Sequence, residues 1–263
     1  MLPYPYWGVP DHYDPRYQID WGYGSILGDR DINEHDFNLL FWVPSATVPV
    51  GRTPPVSAEE LARIHTDKMA PFNGDPLMVD FSTENIYSEH IAKLVAWHRH
   101  YGRFWIHSAL FCDLQYPDFF NWAAADYNGI TGEGEQKFFN AVTGKNFSFA
   151  DGIELGKKIW NLDNAIWTLQ GRHREDVIFA DYIYDLAPEI GFTMPITVDG
   201  QWVYDSVGQR SLDRTQFEEF KSRFYKLEGW DTETGWPTRS TLESLGLGTV
   251  ADELENKGKL GQE

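Results

Sequence analysis

One cysteine, Cys112, stands in a chain of 263 residues. A lone thiol excludes an intrachain disulfide framework. Positive charge is scarce as well: 22 Lys and Arg face 40 Asp and Glu, a formal net charge of −18. Non-specific nucleic-acid binding needs clustered cations and is excluded on that ground. An anionic ligand would need a local basic patch or a helix N-terminus to oppose the field. No apolar stretch is long enough to span a bilayer. Met1-Leu2-Pro3-Tyr4-Pro5 has no basic residue and no apolar run after it, so no secretory leader is expected and a reducing cytoplasm is the expected compartment. Phosphate-binding glycine loops are missing too. Gly22-Tyr23-Gly24 lacks the third glycine of a dinucleotide turn, and no P-loop or Ser-His-Asp order is present.

What the chain has in excess is aromatic surface. Aromatics make up 16% of residues, including 11 Trp, beside 42% hydrophobic and 24% charged residues. Such a composition belongs to a folded protein, and this length buries roughly three quarters of the unfolded surface. Most rings are expected to fill the core, with the remainder lining a surface or pocket.

The pattern along the chain is mainly helical. Residues 1–56 are rich in Pro, Gly, Asp and aromatics without a sustained helical period, and read as ordered loop. Ser57 with Glu60 forms a capping box that opens the first helix. A second helix is predicted from about Asn85 to Tyr101, stopped by Gly102. A short helix at Glu135–Val142 ends at Thr143-Gly144. Ser148 opens the longest helix, which closes at Gly171. Asp199-Gly200 marks a hairpin turn within Met194–Tyr204. Phe217, Phe220 and Phe224 form a core stripe on a helix over Asp213–Leu227. An acidic helix at Thr249–Asn256 precedes a tail expected to fray beyond Lys257.

Candidate chemistry gathers in two places. Trp105-Ile106-His107-Ser108-Ala109-Leu110-Phe111-Cys112-Asp113-Leu114 holds the sole thiol, which taken alone reads as a buried inert group. The polar run Asp29–Asp36 holds His35, beside Asp31, Glu34 and Asp36. Those carboxylates would raise its pKa if they lie close, so His35 is the candidate for proton transfer; a plain loop histidine is the alternative. His98 and His100 are two apart, so a helix sends them to different faces and they do not make a zinc site. His65 and His90 are expected at the surface or boundary of their helices.

Several runs together carry a resemblance. They are Cys112, Thr143-Gly144, Gly229-Trp230-Asp231, Gly235, Pro237-Thr238, Leu242 and Leu245-Gly246-Leu247. This set resembles the C-terminal part of the tungsten aldehyde:ferredoxin oxidoreductase family. The opening segment Asp14–Ser25 most resembles the tungsten subunit of the class II benzoyl-CoA reductase branch. The resemblance implies a C-terminal helical domain at 57–263, preceded by a loop-rich remnant of the middle domain at 1–56. It implies that Cys112 supplies the last thiolate of a [4Fe–4S] cluster, whose other three cysteines lie on an upstream half. It implies a tungsten bis-pyranopterin near His107, where relatives carry an acid. Asp113, or backbone near Phe111, stands as a substitute for that acid, with His107 as a packing residue. The implied partners are the upstream half, an iron–sulfur electron-transfer subunit and an aromatic acyl-CoA substrate reduced to a cyclic dienoyl-CoA. Aldehyde oxidation, and a non-catalytic helical module without cofactor, are the alternatives. The same reading expects rings of the opening segment, Trp7, Tyr17, Trp21, Tyr23 and Trp42, to form an open face beside Trp105–Cys112.

Overall fold

A computed structural model describes residues 14–28, 51–111, 121, 123–127, 129, 133–189 and 191–263. Its elements in order are α1 (Ile19–Gly28), α2 (Ala58–Thr66), α3 (Glu89–Tyr101), a π turn (Gly102–Ile106), α4 (Glu133–Thr143), α5 (Phe149–Leu169) and α6 (Asp181–Asp185). There follow β1 (Phe192–Val198), β2 (Gln201–Val207), α7 (Arg214–Glu228), α8 (Arg239–Ser244) and α9 (Gly248–Asn256). The fold is mainly α, as the pattern predicts.

The core is built around α3. Ser88 caps it, accepting from the backbone N–H groups of His90 and Ile91. Ile91, Leu94, Val95 and Trp97 are buried, and so are the polar residues of its last turn, because α1, α5 and α7 all pack on this helix. A helix enclosed on several sides must pair its polar groups internally. His98 Nδ1 lies 3.1 Å from Asp20 of α1, and His100 Nε2 lies 3.0 Å from Glu228 of α7. The two histidines diverge as their spacing requires, and each ties α3 to a different neighbour.

The loop reading of residues 1–56 fails at α1, whose ten residues are helical and buried throughout. Its glycines look like breakers in sequence, yet they are contact residues. A Cβ on Gly24 would lie 2.4 Å from Arg99 Nε, and one on Gly28 would lie 2.7 Å from the Trp160 ring. Tertiary packing overrides the local propensity cost of glycine here. The expectation of an open aromatic face falls with it: Tyr17, Trp21 and Tyr23 are core residues, and Trp105 is buried as well. Trp7 and Trp42 lie outside the described residues.

α5 meets α3 by a similar device. Ser148 opens it, as predicted, and forms a capping box with Asp151; a Cβ on Gly156 would fall 1.8 Å from the His100 carbonyl oxygen. Gly102 does not stop α3. It stays right-handed (φ −60°, ψ −39°) and the chain runs on into the π turn. α2 keeps only half of its expected box: Ser57 accepts from the Glu60 N–H, but the Glu60 carboxylate pairs with Arg63. His65 on α2 is fully buried rather than at the surface, with Nδ1 2.9 Å from the Leu61 carbonyl. Burial lowers its pKa to about 4, partly opposed by that hydrogen bond, so the ring is neutral at pH 7.

The hairpin pairs β1 with β2 from Phe192↔Val207 to Val198↔Gln201, and Asp199 and Gly200 both take positive φ, the I′ geometry a tight hairpin favours. Phe217, Phe220 and Phe224 are buried. Gly229 (φ +70°) ends α7 in a left-handed cap. The following run is a scaffold. Trp230 Nε1 donates to Asn161 Oδ1 at 2.8 Å, Asp231 accepts from the N–H groups of Glu233 and Gln262, and Thr238 caps α8. The tail is tied down rather than frayed. Gly261 N–H donates to the Pro237 carbonyl, and the Glu263 carboxylate accepts from Ser240.

Candidate functional site

The π turn after α3 directs the candidate segment. One wide turn at the end of an α-helix shifts the side-chain phase, a device common at functional positions. Here it sends Trp105 inward, where its ring stacks on Phe149 (centroids 5.8 Å apart, 5° between planes) and its Nε1 donates to the Phe149 carbonyl. His107 follows, half-buried. Arg103 sits against it with Nη1 3.3 Å from His107 Nδ1. A guanidinium only donates, so Nδ1 must carry the lone pair and the neutral ring carries its proton on Nε2. Arg103 is fixed by Asp163 of α5, 2.7 Å from Nε, and lies over the Trp160 ring at 5.0 Å.

Beyond His107 the backbone tightens. The Ser108 hydroxyl donates to the Arg103 carbonyl, and the Phe111 N–H donates to the Trp105 carbonyl. Between them Leu110 takes φ +63° with 84% of its surface exposed. A leucine held in the left-handed region and facing water is locally unfavourable twice over, and such positions concentrate at functional segments. Sequence reasoning missed Leu110, since nothing in its residue type signals positive φ.

Ser108, Ala109 and Phe111 form one wall of a mostly apolar crevice of about 420 Å³. The other wall is α4, through Phe138, Phe139, Val142 and Thr143. Phe139 anchors that wall in ring contacts with Phe104 at 5.3 Å and Phe147 at 5.2 Å. A larger groove, about 600 Å³, lies between residues 82–84 and the hairpin. Its one cation, Arg210, donates to the carbonyls of Arg16 and Phe81 and to the Thr83 hydroxyl, which ties it into the structure.

Of the sequence candidates, His107 and Phe111 are brought to this segment. Cys112, Asp113 and His35 lie outside the described residues. Among the described residues no group of three or more His, Cys, Asp and Glu could hold a metal ion. The lone pair of His107 Nδ1 is engaged by Arg103, which leaves this nitrogen no acceptor capacity for a pterin amino group. The described residues therefore include no thiolate for an iron–sulfur cluster, since the sole cysteine lies outside them, and no acceptor for a pterin at His107 Nδ1. Nor is any described helix long and apolar enough to cross a membrane.

Comparison with known proteins places the chain. A solved structure titled as the active site complex BamBC of benzoyl coenzyme A reductase with 1,5-dienoyl-CoA is 22% identical, with a TM-score of 0.36. The match covers 51% of this chain and 16% of that one, so this chain spans a small part of the solved chain's length. Residues 10–247 match the family model described as aldehyde ferredoxin oxidoreductase, domains 2 & 3. With a mainly helical fold and a match that runs through nearly all of it, the chain belongs to the aldehyde ferredoxin oxidoreductase family.

Proposed function

We propose that this chain is the C-terminal part of a tungsten-pterin, iron–sulfur oxidoreductase, competent only together with the family's first domain. The observation that carries the reading is a pairing: the family match concerns domains 2 and 3, and the chain offers a single cysteine. A [4Fe–4S] cluster takes four thiolates, so Cys112 would be the last of them and three would come from the first domain. When bound, the metal-pterin and the cluster would supply the electron chemistry. This chain would supply the crevice wall at Ser108–Phe111 and exclude water from the space beside it. His35, Asp113 and His107 are the candidates for proton handling and polar contact.

For substrate we favour an aromatic acyl-CoA, reduced to a cyclic dienoyl-CoA, on the resemblance of Asp14–Ser25. An iron–sulfur subunit would deliver the electrons. The test is co-expression with a polypeptide carrying the first domain and three closely spaced cysteines. The assembly is then assayed anaerobically with benzoyl-CoA and with simple aldehydes. Turnover of benzoyl-CoA alone supports the reading, and turnover of aldehydes alone moves the substrate to the aldehyde class. No association, with no metal in the co-purified material, would sink it.

A further inference from the structure

α4 is turned inside out. A surface helix ordinarily buries its apolar stripe and shows its acids to water. In α4 the one fully buried side chain is Glu135, at 0% exposure, while Phe138 and Val142 are 55% and 84% exposed. Glu135 Oε1 accepts from the Tyr101 hydroxyl at 3.2 Å. Its other oxygen, Oε2, is out of contact with solvent and has no hydrogen-bond partner among the described residues. The Tyr101 ring cannot follow a moving partner, because it stacks flat on Trp97 (5.2 Å, 7°).

The charged groups on the surrounding described elements are committed elsewhere. On α4 itself, Lys137 and Glu133 pair with each other on the exposed side. From the π turn, Arg103 pairs with Asp163 of α5. At the start of α5, Asp151 is taken up by capping Ser148. On α3, His98 faces Asp20 and His100 faces Glu228. Of the other buried acids, Asp20 and Glu228 each have a histidine within reach, while Asp80 accepts from Ser82 and Thr197 and Asp231 from Glu233 and Gln262; Glu135 has a tyrosine. An ionised carboxylate buried without a cation is strongly disfavoured, whereas the neutral acid is tolerated. Burial accordingly raises the Glu135 pKa, and hydrogen bonds from its own backbone N–H and then from Tyr101 oppose this more weakly.

One turn further along the same face, Phe138 and Phe139 form the crevice wall. We propose that Glu135 is a proton-operated latch on that wall. Protonated, its carboxylic acid seats the first turn of α4 on Tyr101 and keeps the crevice closed on that side. On losing its proton to solvent, the carboxylate leaves the interior for water, taking the first turn of α4 with it and loosening the wall. The sign follows from the direction of the shift. The seated state holds the proton more tightly, so seating is fully stabilised below the ordinary glutamate pKa and is lost as pH rises toward the raised one.

The test is amide hydrogen exchange across Glu133–Thr143 in the intact chain, with wild type and Glu135→Gln compared at each pH so that intrinsic base catalysis cancels. Glutamine mimics the protonated acid, keeps an acceptor for Tyr101 and cannot titrate. The two proteins should exchange alike at acid pH. With rising pH the wild type should open more than the variant, by up to about tenfold per pH unit between the ordinary and raised pKa values, and then level off. Tyr101→Phe removes the donor that favours the carboxylate, so it should move the wild-type transition to higher pH; a merely structural tyrosine would leave it in place. Should Glu135→Gln not fold, the Tyr101→Phe shift and the infrared carbonyl band of a protonated carboxyl at neutral pH decide the matter. Parallel exchange profiles, a Tyr101→Phe midpoint unmoved or lowered, or a fully ionised Glu135 at neutral pH would each overturn the latch.

Discussion

Replacing Gly156 by alanine should destabilise the fold although alanine is the better helix former. Gly156 lies in mid-α5, where the Gly→Ala change alone would add about 1 kcal/mol of stability. The contact opposes it. The new Cβ would sit 1.8 Å from the His100 carbonyl oxygen, where carbon–oxygen contacts normally begin near about 3.3 Å. The obstacle is backbone at the end of α3, so relief requires the two helices to part by roughly 1.5 Å, the shortfall between those distances. Such separation disturbs Trp105, which packs on the same α3–α5 seam through Phe149. Overpacking of this kind costs about 1–3 kcal/mol, occasionally more. A backbone obstacle puts the cost at the upper end of that range, about 2–3 kcal/mol, so with the propensity gain of about 1 kcal/mol subtracted the net loss should be about 1–2 kcal/mol, or a fall in Tm of very roughly 2–8 °C for a chain of this size. Urea unfolding followed by tryptophan fluorescence reads it, as a lowered midpoint at unchanged m-value. A midpoint equal to or above wild type would show that the helices are not in contact at Gly156.

Acid should weaken the fold through His65. Its folded pKa, about 4, lies below the unfolded value, so the stabilisation it gives is present above about pH 6.5 and is lost as pH falls toward 4. The loss is on the order of 3 kcal/mol, and His65→Asn should flatten that limb of a urea-midpoint profile against pH. Trp230→Phe removes the indole donor to Asn161 Oδ1 and strands a buried oxygen, for an expected cost of about 1–3 kcal/mol by thermal or urea unfolding. Truncating the last three residues, 261–263, should also register, by about 1 kcal/mol or more, since it removes the anchors on Pro237, Asp231 and Ser240; a frayed tail would give no change.

The legible parts of the sequence were those where local chemistry and tertiary structure agree. Ser148, Asp199-Gly200 and the Phe217–Phe220–Phe224 stripe each specify a cap, a turn or a buried face within a few residues, and each is found there. The misread parts turn on partners distant in sequence. Gly24 and Gly28 look like loop glycines until Arg99 and Trp160, more than seventy residues away, occupy the space a Cβ would fill. Gly102 looks like a stop, yet the chain continues helically through it into the π turn. His65 offers no sequence sign of burial, because its acceptor is the carbonyl of its own helix. At the candidate site the lone thiol singles out the segment in sequence but lies outside the described residues, while the Arg103–His107 contact, the left-handed Leu110 and the buried Glu135 carry no sequence signal. All three depend on how α3, α4 and α5 converge.

The most direct test of the central claim is iron content in the chain co-purified with a polypeptide bearing the family's first domain, for wild type and for Cys112→Ser. If Cys112 is the last ligand of a shared cluster, the wild-type assembly carries a complete cluster. The chain alone carries none, and Cys112→Ser lowers the iron while the helical circular dichroism stays unchanged. A complete cluster retained in Cys112→Ser, or present in the chain by itself, would contradict it.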